Sequence, residues 1–332
     1  MSGPDGILLV DKPAGVTSFD VVARVRALLR HWSRAPAGGG TQDSGGGRAR
    51  FRCGHAGTLD PLATGLLVVM TGRASRLSPF LMGLDKTYEA TVRFGTETDT
   101  LDAEGAVIAT APPPDPRVVP GCLPAFLGEI RQVPPVFSAL KRDGKVLHRL
   151  ARAGGEVAEP EPRTVTVTEL VITAQRLGQD PAEIDLRVSC SSGTYIRSLA
   201  RDLGRAAGSA AHLGALRRTR VGPFTLDGAV GDVRELDAAS LAEAVLSPAR
   251  AVGHLPKLTL TEDEVAAVLH GGQPDPCWLD RLDARLPGQG KQAAVFAMLD
   301  GAGALVAMGA VDGPGGLPRL AAVLMQEGQR CG

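Results

Sequence analysis

The spacing of apolar residues along the chain predicts a mixture of strands and helices. Short apolar runs bounded by turn residues predict strands over 6–11, 66–70, 88–94, 164–173 and 184–189. Helical spacing predicts one helix over 194–207 and another that begins at a cap formed by Thr17 or Ser18. The apolar stripe of that capped helix comprises Phe19, Val21, Val22, Val25, Leu28 and Leu29.

The same pattern divides the chain into two predicted domains, 1–250 and 256–332. The stretch 246–256, with two prolines and few apolar pairs, is predicted to be the boundary. Beyond it, a short helix over 262–269 and strand-like runs over 293–299 and 304–310 predict a small β-rich unit. The segment 33–50 is almost free of large apolar side chains, which predicts a flexible insert.

Composition is typical of a soluble globular protein, with 44% hydrophobic and 22% charged residues in 332. The start lacks a basic signal-peptide segment, and no apolar stretch is long enough to cross a bilayer, so we expect a cytoplasmic protein without membrane contact. The five cysteines are scattered without a C-x-x-C pair, and the histidines show no ligand spacing. We therefore expect no metal and no cofactor.

Charge is unevenly distributed although the formal net charge is zero. Residues 187–222 hold seven arginines and one acid, whereas 223–290 hold eleven acids and five basic residues. The basic block can bind a phosphate backbone, or it can be a solvated charged surface, and charge alone does not separate the two.

Asp60 is the first candidate for chemistry. It lies in a Gly-bounded loop ahead of a predicted buried strand, and Pro61 restricts its backbone to extended conformations. A carboxylate presented in this way can act as a nucleophile or a base. An Asp-Pro pair is also a common turn former, so the motif alone leaves both readings open.

The chain has only two tyrosines, and each lies beside a cation: Tyr88 follows Lys86, and Tyr195 precedes Arg197. Such pairs can form a platform that stacks on nucleobases, although ordinary core tyrosines fit the same pattern. Arg197 is expected to pair with a buried carboxylate or to lie at the surface. The run Arg217-Arg218-Thr219-Arg220 is expected to contact phosphates, or else to form a solvated strand edge.

Taken together, the motifs resemble the TruB family of bacterial tRNA pseudouridine synthases. The blocks that carry the resemblance occur in family order over most of 6–224: GILLVDKPAGVTSFD, GHAGTLDPLATGLLVV, DKTYEATVRFGTETDTLDAEG, PPVFSALKRDGKVLHRLARAGGEV, CSSGTYIRSLARDLG and AHLGALRRTRVGPF. Three features depart from the family pattern: the insert 33–50, Ala56 in place of a frequent Thr, and Phe137 in place of a frequent Tyr.

The resemblance implies an α+β fold: a pseudouridine synthase catalytic domain with a central, mostly antiparallel sheet, a thumb-like segment over 136–153 and a C-terminal PUA-like RNA-binding domain. It further implies a role for individual positions. Asp60 matches the catalytic aspartate, Arg197 its arginine partner, and Tyr88 the catalytic tyrosine that stacks on the target uracil and can assist as a base. His55 matches a histidine that fills the space of the extruded base, and Tyr195 and Leu216 match other pocket positions.

The expected function is isomerisation of uridine 55 in the T-loop of tRNA to pseudouridine by a monomer without an obligatory protein partner. We expect Lys86, Arg217 and Arg218 to contact the RNA. Three alternatives are a guide-RNA-dependent synthase subunit, a non-catalytic tRNA-binding or folding factor, and a carboxylate-based sugar hydrolase. The hydrolase requires a second catalytic carboxylate in a comparable motif.

Overall fold

The computed structural model describes residues 4–32, 52–138, 141–142, 145–146, 160–286, 293–313 and 315–325. The predicted insert 33–50 and most of the predicted thumb-like segment 136–153 lie outside the described residues.

Thirteen strands precede residue 226 in the described part of the chain. They are β1 (Gly6–Lys12), β2 (Cys53–His55), β3 (Thr64–Thr71), β4 (Lys86–Phe94), β5 (Thr96–Thr98), β6 (Val107–Thr110), β7 (Gly128–Gln132), β8 (Lys141–Arg142), β9 (Lys145–Val146), β10 (Arg163–Arg176), β11 (Glu183–Cys190), β12 (Ala211–Val221) and β13 (Phe224–Thr225).

Helices surround these strands and continue to the C-terminal part. They are α1 (Ser18–Trp32), α2 (Ser78–Met82), α3 (Val118–Cys122), α4 (Ile196–Ala206), α5 (Ala238–Ala244), α6 (Pro248–Ala251) and α7 (Glu262–Leu269), with 3-10 helices at Gly72–Leu77, Leu123–Phe126 and Pro276–Arg281. None of the described helices is both long enough and apolar enough to cross a lipid bilayer.

One large sheet organises residues 4–225. Its strand order is β1-β3-β12-β4-β11-β10-β7, with β2 added to β3 and β13 to β12. Neighbouring strands are antiparallel except at β3 and β12, which run parallel and pair Thr64 with Arg217 and Gly65 with Arg218. The expected α+β class with a mostly antiparallel central sheet is confirmed.

The strands β1 and β3 are buried on both faces, which explains their continuous apolar sequences. On one face, Leu8 and Leu67 pack in the core that also contains the apolar side of α1. On the other face, Ile7 and Leu66 pack in a second core that includes Met308 from the C-terminal part.

The C-terminal part contains the expected small β-rich unit. Its sheet has the order β14-β15-β16-β17, formed by β14 (Lys257–Thr259), β15 (Ala294–Leu299), β16 (Leu305–Val311) and β17 (Pro318–Val323). Every residue of β16 is buried. Arg73 and Arg76, in the 3-10 helix after β3, donate hydrogen bonds to the carbonyls of Leu324 and Val323. Apolar packing and polar contacts together join this unit to the large sheet.

Two expectations about local structure were wrong. Phe19 does not belong to the buried stripe of α1, since 68% of it is exposed, while the polar Ser18 beside it is buried. Thr17 caps the helix, because its hydroxyl accepts from the Asp20 N–H while the Asp20 carboxylate accepts from the Thr17 N–H. The cap turns Ser18 inward and Phe19 outward.

The run 217–220 is not a solvated strand edge. It belongs to β12, which lies between β3 and β4 inside the sheet. Arginines are rare in an interior strand, and their frequency in this run hid its interior position in the sheet.

Gly65 provides a test of the parallel junction between β3 and β12. It has a φ of +99°, and a Cβ there would lie 2.2 Å from the Arg218 carbonyl oxygen. We expect Gly65→Ala to lower the free energy of unfolding, measured by urea denaturation, by more than about 3 kcal/mol. Gly15→Ala is the matched control, because φ there is +80° but no atom lies within 4 Å of the added Cβ. Its cost should stay near 1 kcal/mol, and equal losses would contradict close strand packing at Gly65.

Candidate active site

A cavity of about 280 Å³ opens where the loop before β3 and the strands β4 and β12 meet the start of α4. Its lining comes from the loop 57–60, the turn and helix start 191–197, and single residues of the sheet and its connections. Seven of the nine predicted site residues line it: Asp60, Lys86, Tyr88, Tyr195, Arg197, Leu216 and Arg218. Residues separated by more than 150 positions in sequence therefore meet in one cavity.

Asp60 and Arg197 form a two-point ion pair at this cavity. Arg197 Nε lies 2.9 Å from Asp60 Oδ2, and Arg197 Nη2 donates to Asp60 Oδ1 at 3.3 Å. The arginine side chain is 7% exposed, whereas the carboxylate side chain is 33% exposed. The pairing holds the carboxylate in one orientation while part of it still faces the cavity.

Arg197 is itself fixed from behind. Its Nη1 donates to the Thr100 carbonyl at 2.9 Å and lies 3.5 Å from Asp102 Oδ2, while its Nη2 donates to the Phe137 carbonyl at 3.0 Å. Asp102 is almost completely buried and also accepts from the Thr100 hydroxyl at 2.7 Å. Two carboxylates thus share one guanidinium, but only Asp60 reaches the cavity.

The turn that carries Asp102 contains a strained residue. Leu101 has a φ of +63°, a conformation that costs a side-chain-bearing residue about 1–2 kcal/mol. Its side chain is buried, and its carbonyl accepts from the Leu213 N–H at 3.0 Å. Packing and hydrogen bonding at β12 therefore hold this turn, and with it Asp102, against Arg197.

The backbone of the Asp60 loop is held by two buried polar residues. The Ser18 hydroxyl accepts from the Leu59 N–H at 2.8 Å and donates to the Leu59 carbonyl at 3.0 Å. The Lys12 ammonium donates to the carbonyls of Val16 at 2.8 Å and Pro61 at 3.3 Å. Burial lowers the pKa of Lys12 to about 8, and the negative charge of Asp60 opposes that decrease. Residues on both sides of Asp60 are thereby anchored.

Arg218 forms part of the cavity floor. It is 1% exposed and donates from Nε to the Leu66 carbonyl at 2.7 Å and from Nη2 to the Gly57 carbonyl at 3.1 Å. The expectation of a surface phosphate contact is wrong for Arg218, since the side chain is buried and its donors are taken by backbone carbonyls of β3 and of the loop before it. Its position supports the Asp60 loop from below.

Lys86 lies next to Arg218. Its ammonium donates to the carbonyls of Met82 at 2.6 Å and Leu84 at 2.5 Å. A Cβ on Gly57 would meet both Arg218 Nη1, at 3.6 Å, and Lys86 Cε, at 3.7 Å, so the two side chains meet beneath one residue of the loop. Burial lowers the pKa of Lys86 to about 8, and the positive charge of Arg218 adds to the decrease.

The two tyrosines lie at different depths. Tyr88 is buried in β4, and this burial raises the pKa of its hydroxyl, an effect that the charge of Arg218 opposes. Tyr195 is partly exposed at the start of α4, where its N–H donates to the Gln132 side-chain oxygen at 2.8 Å and its carbonyl accepts from the Gln132 amide at 3.0 Å. The buried Gln132 therefore anchors this tyrosine to β7.

His55 and Arg217 do not line the cavity. His55 is partly buried in β2 opposite Val69, and burial together with the charge of Arg218 lowers its pKa. Arg217 forms an ion pair with Asp11 at 2.7 Å. Among the described residues, no group of three His, Cys, Asp or Glu side chains is arranged to hold a metal ion.

The sequence patterns did not identify four residues that shape the site: Lys12, Ser18, Asp102 and Gln132. Buried polar side chains of this kind carry no distinct local pattern, because the partners that fix them are distant in sequence. Ser18 bonds to a residue 41 positions away, Lys12 to one 49 positions away and Gln132 to one 63 positions away.

The buried pairing of Asp102 with Arg197 can be tested through stability. We expect Asp102→Ala to lower the free energy of unfolding by about 3–5 kcal/mol, because the variant leaves part of the Arg197 charge uncompensated in the interior. Asp99→Ala is the control in the same turn, since Asp99 is exposed and its carboxylate accepts from the Ala106 N–H. Chemical denaturation of both variants is the measurement. Similar losses for the two would argue against a buried ion pair at Asp102.

Comparisons with known proteins identify the family of this chain. Residues 48–196 match the model of the TruB family pseudouridylate synthase N-terminal domain, and residues 197–250 match that of the tRNA pseudouridylate synthase B C-terminal domain. A relative named tRNA pseudouridine synthase B from Aromatoleum aromaticum is 45% identical over 86% of this chain and 86% of its own. Its namesake from Thermobifida fusca is 46% identical over 82% of this chain and 87% of its own.

Among solved structures, a Cbf5-Nop10-Gar1 complex contains a similar chain. The TM-score is 0.68 at 26% identity, covering 97% of this chain and 85% of the other. Family models that cover more than half of the sequence and relatives above 40% identity lead to one assignment. The chain belongs to the TruB family of pseudouridylate synthases.

Proposed function

We propose that this protein converts uridine 55 in the T-loop of tRNA to pseudouridine. The observation that carries the proposal is the partly exposed Asp60 carboxylate, held by Arg197 at a cavity that Tyr88 also lines. The relatives above 40% identity are named tRNA pseudouridine synthase B, which supports tRNA as the substrate.

The cavity suits an everted nucleobase. A uridine stacked in a folded loop has to leave the stack before Asp60 can reach it, at a cost of a few kcal/mol. Stacking on an aromatic side chain returns about 1–3 kcal/mol per base. In this proposal Tyr88 supplies that aromatic face, while Tyr195 and Leu216 form further walls.

Asp60 supplies the reactive group in this proposal. Pseudouridine formation breaks the C1′–N1 bond, turns the base and rejoins it through C5, without oxidation. The carboxylate can attack C6 or C1′, or take a proton from the sugar. The fixed pairing with Arg197 serves all three routes, because each requires an ionised carboxylate in a defined orientation.

The remaining roles are proposals that follow from family position. His55 fills the space left by the extruded base, and Arg217 contributes to RNA binding beside the cavity. Residues 1–250 form the catalytic domain, with a thumb-like segment over 136–153, and residues 256–332 form a PUA-like RNA-binding domain. The proposal includes a monomer without an obligatory protein partner and a cytoplasmic location.

The alternative functions fit less well. A sugar hydrolase requires a second carboxylate at the cavity, but Asp102 is buried behind Arg197 and does not line it. A guide-RNA-dependent subunit is less consistent with relatives above 40% identity that carry the name tRNA pseudouridine synthase B. A purely RNA-binding factor has no use for a carboxylate held in this way.

Turnover tests the proposal directly. Purified protein is mixed with an unmodified tRNA transcript that carries tritium at uridine C5, without guide RNA or added metal, and released tritium is measured. We expect release by the unaltered protein, none by Asp60→Asn, and nearly equal tRNA binding by both, because the change removes charge but little volume.

Two controls sharpen this experiment. Asp99→Asn changes an exposed aspartate of the turn before β6 and should leave tritium release intact. A transcript with cytidine at the target position, labelled at its other uridines, should release nothing. Substantial release by Asp60→Asn would remove this carboxylate from the mechanism.

A further inference from the structure

The cavity carries more positive than negative charge. The charged residues that line it are Asp60, Lys86, Arg197 and Arg218. Asp60 and Arg197 neutralise one another, which leaves the side chains of Lys86 and Arg218 as an excess of two cations on the floor. We refer to Lys86 and Arg218 as the cationic floor.

No carboxylate among the described residues forms a salt bridge with the cationic floor at 4.0 Å or less. Lys86 donates to the backbone carbonyls of Met82 and Leu84, and Arg218 donates to those of Gly57, Thr58 and Leu66. The positive charge of Arg218 lowers the pKa of Lys86 more than the negative charge of Asp85 raises it. The surplus charge is therefore local to the cavity.

This arrangement is costly for folding alone. Two like charges that are 6% and 1% exposed repel one another and have lost most of their hydration. Carbonyl oxygens compensate this loss only in part. Cations fixed in advance by such bonds are, however, well suited to stabilise negative charge that appears during a reaction, because they do not have to reorient.

The depth of the floor restricts which part of an RNA it can serve. Phosphates remain on the outside of a bound RNA, whereas an everted base enters the cavity. Because Lys86 and Arg218 lie beneath the Asp60 loop and in the same lining as Tyr88, a base that enters this cavity would lie nearer to them than a phosphate would.

Resting on the proposed function, we infer that Lys86 and Arg218 stabilise the negative charge that the uracil ring acquires when it separates from the ribose. The C1′–N1 bond breaks and its electron pair stays on N1, so the ring departs as an anion with charge shared by O2 and O4. C1′ regains a pair from the Asp60 carboxylate, or from the C2′–H bond as that carboxylate takes the proton.

The charge on the ring lasts until the base has turned. Carbon C5 then supplies the electron pair for the new bond to C1′, and either the bond to Asp60 breaks or C2′ recovers its proton. Loss of the proton on C5 and uptake of one proton by N1 complete the isomerisation, with no net change in charge. A cationic floor lowers the energy of every species between the two bond changes.

A more acidic leaving group can be used to distinguish charge stabilisation by Lys86 and Arg218 from a purely structural role of these residues. Fluorine at C5 withdraws electrons and stabilises the uracil anion, so a 5-fluorouridine target depends less on the cationic floor. Single-turnover disappearance of the target nucleoside is measured by liquid chromatography with mass detection after digestion of T-arm RNA, with uridine or 5-fluorouridine at the target position, because chromatography separates isomers of equal mass. The proteins are the unaltered chain, Lys86→Met and Arg218→Gln.

We expect the neutral variants to react about 100-fold more slowly with uridine, which is the usual effect of losing one preorganised charge-stabilising group. With 5-fluorouridine the same variants should lose clearly less of their rate. The charge-retaining variants Lys86→Arg and Arg218→Lys are the matched controls and should recover much of the rate. Thermal unfolding and T-arm binding establish that each variant is folded, and Lys86→Met provides a second test if Arg218→Gln does not fold.

Three results would overturn the inference: equal slowing with both target nucleosides, equal loss in neutral and charge-retaining variants, or failure of the unaltered protein to act on 5-fluorouridine while it converts uridine. Failure of the unaltered protein on uridine itself would instead refute the proposed function. The two levels of the proposal therefore fail in different experiments.

Discussion

The ion pair between Asp60 and Arg197 is the interaction on which the rest of the site depends. A carboxylate at a half-closed cavity can rotate, and a two-point contact with a guanidinium holds it in one orientation. Such a contact is only as precise as the arginine behind it. Contacts with Asp102, Thr100 and Phe137 fix the position of Arg197. The surrounding fold therefore defines the position of the carboxylate oxygen atoms of Asp60.

The parallel contact between β3 and β12 provides the geometric basis for this arrangement. It brings Arg218 under the loop that carries Asp60, and it requires Gly65 because the two backbones approach too closely for a Cβ. The antiparallel pairing of β12 with β4 then brings Tyr88 opposite Arg218. One interior strand thus connects the reactive loop, the buried tyrosine and the two floor cations, which explains why a strand with several arginines lies in the middle of a sheet.

Much of the fold could be predicted, because buried strands and amphipathic helices leave periodic apolar patterns. The roles of Asp60 and Arg197 could be predicted only through the resemblance of their sequence blocks to the TruB family, since the local motifs alone left a turn residue and a surface arginine as alternatives. Ser18, Lys12 and Gln132 could not, because a buried polar residue is defined by distant carbonyls and amides that no local pattern records. The error at Arg218 has the same origin: an arginine in a basic run indicates a surface until the partners of its guanidinium are known. The expectation for Phe19 was wrong because the cap at Thr17 sets the start of α1 so that Ser18 faces the core and Phe19 faces solvent.

The packing of the C-terminal unit against β1 and β3 has a consequence for how this enzyme family can be altered. Ile7 and Leu66 are covered on that side by side chains that include Met308 and Ala297. Removing the unit would expose an apolar surface to solvent directly behind β3, the strand that follows the Asp60 loop. Shortened forms of this chain would therefore need new polar residues on the back of β1 and β3 to remain monodisperse, and grafting a different RNA-binding module would require a matching apolar underside.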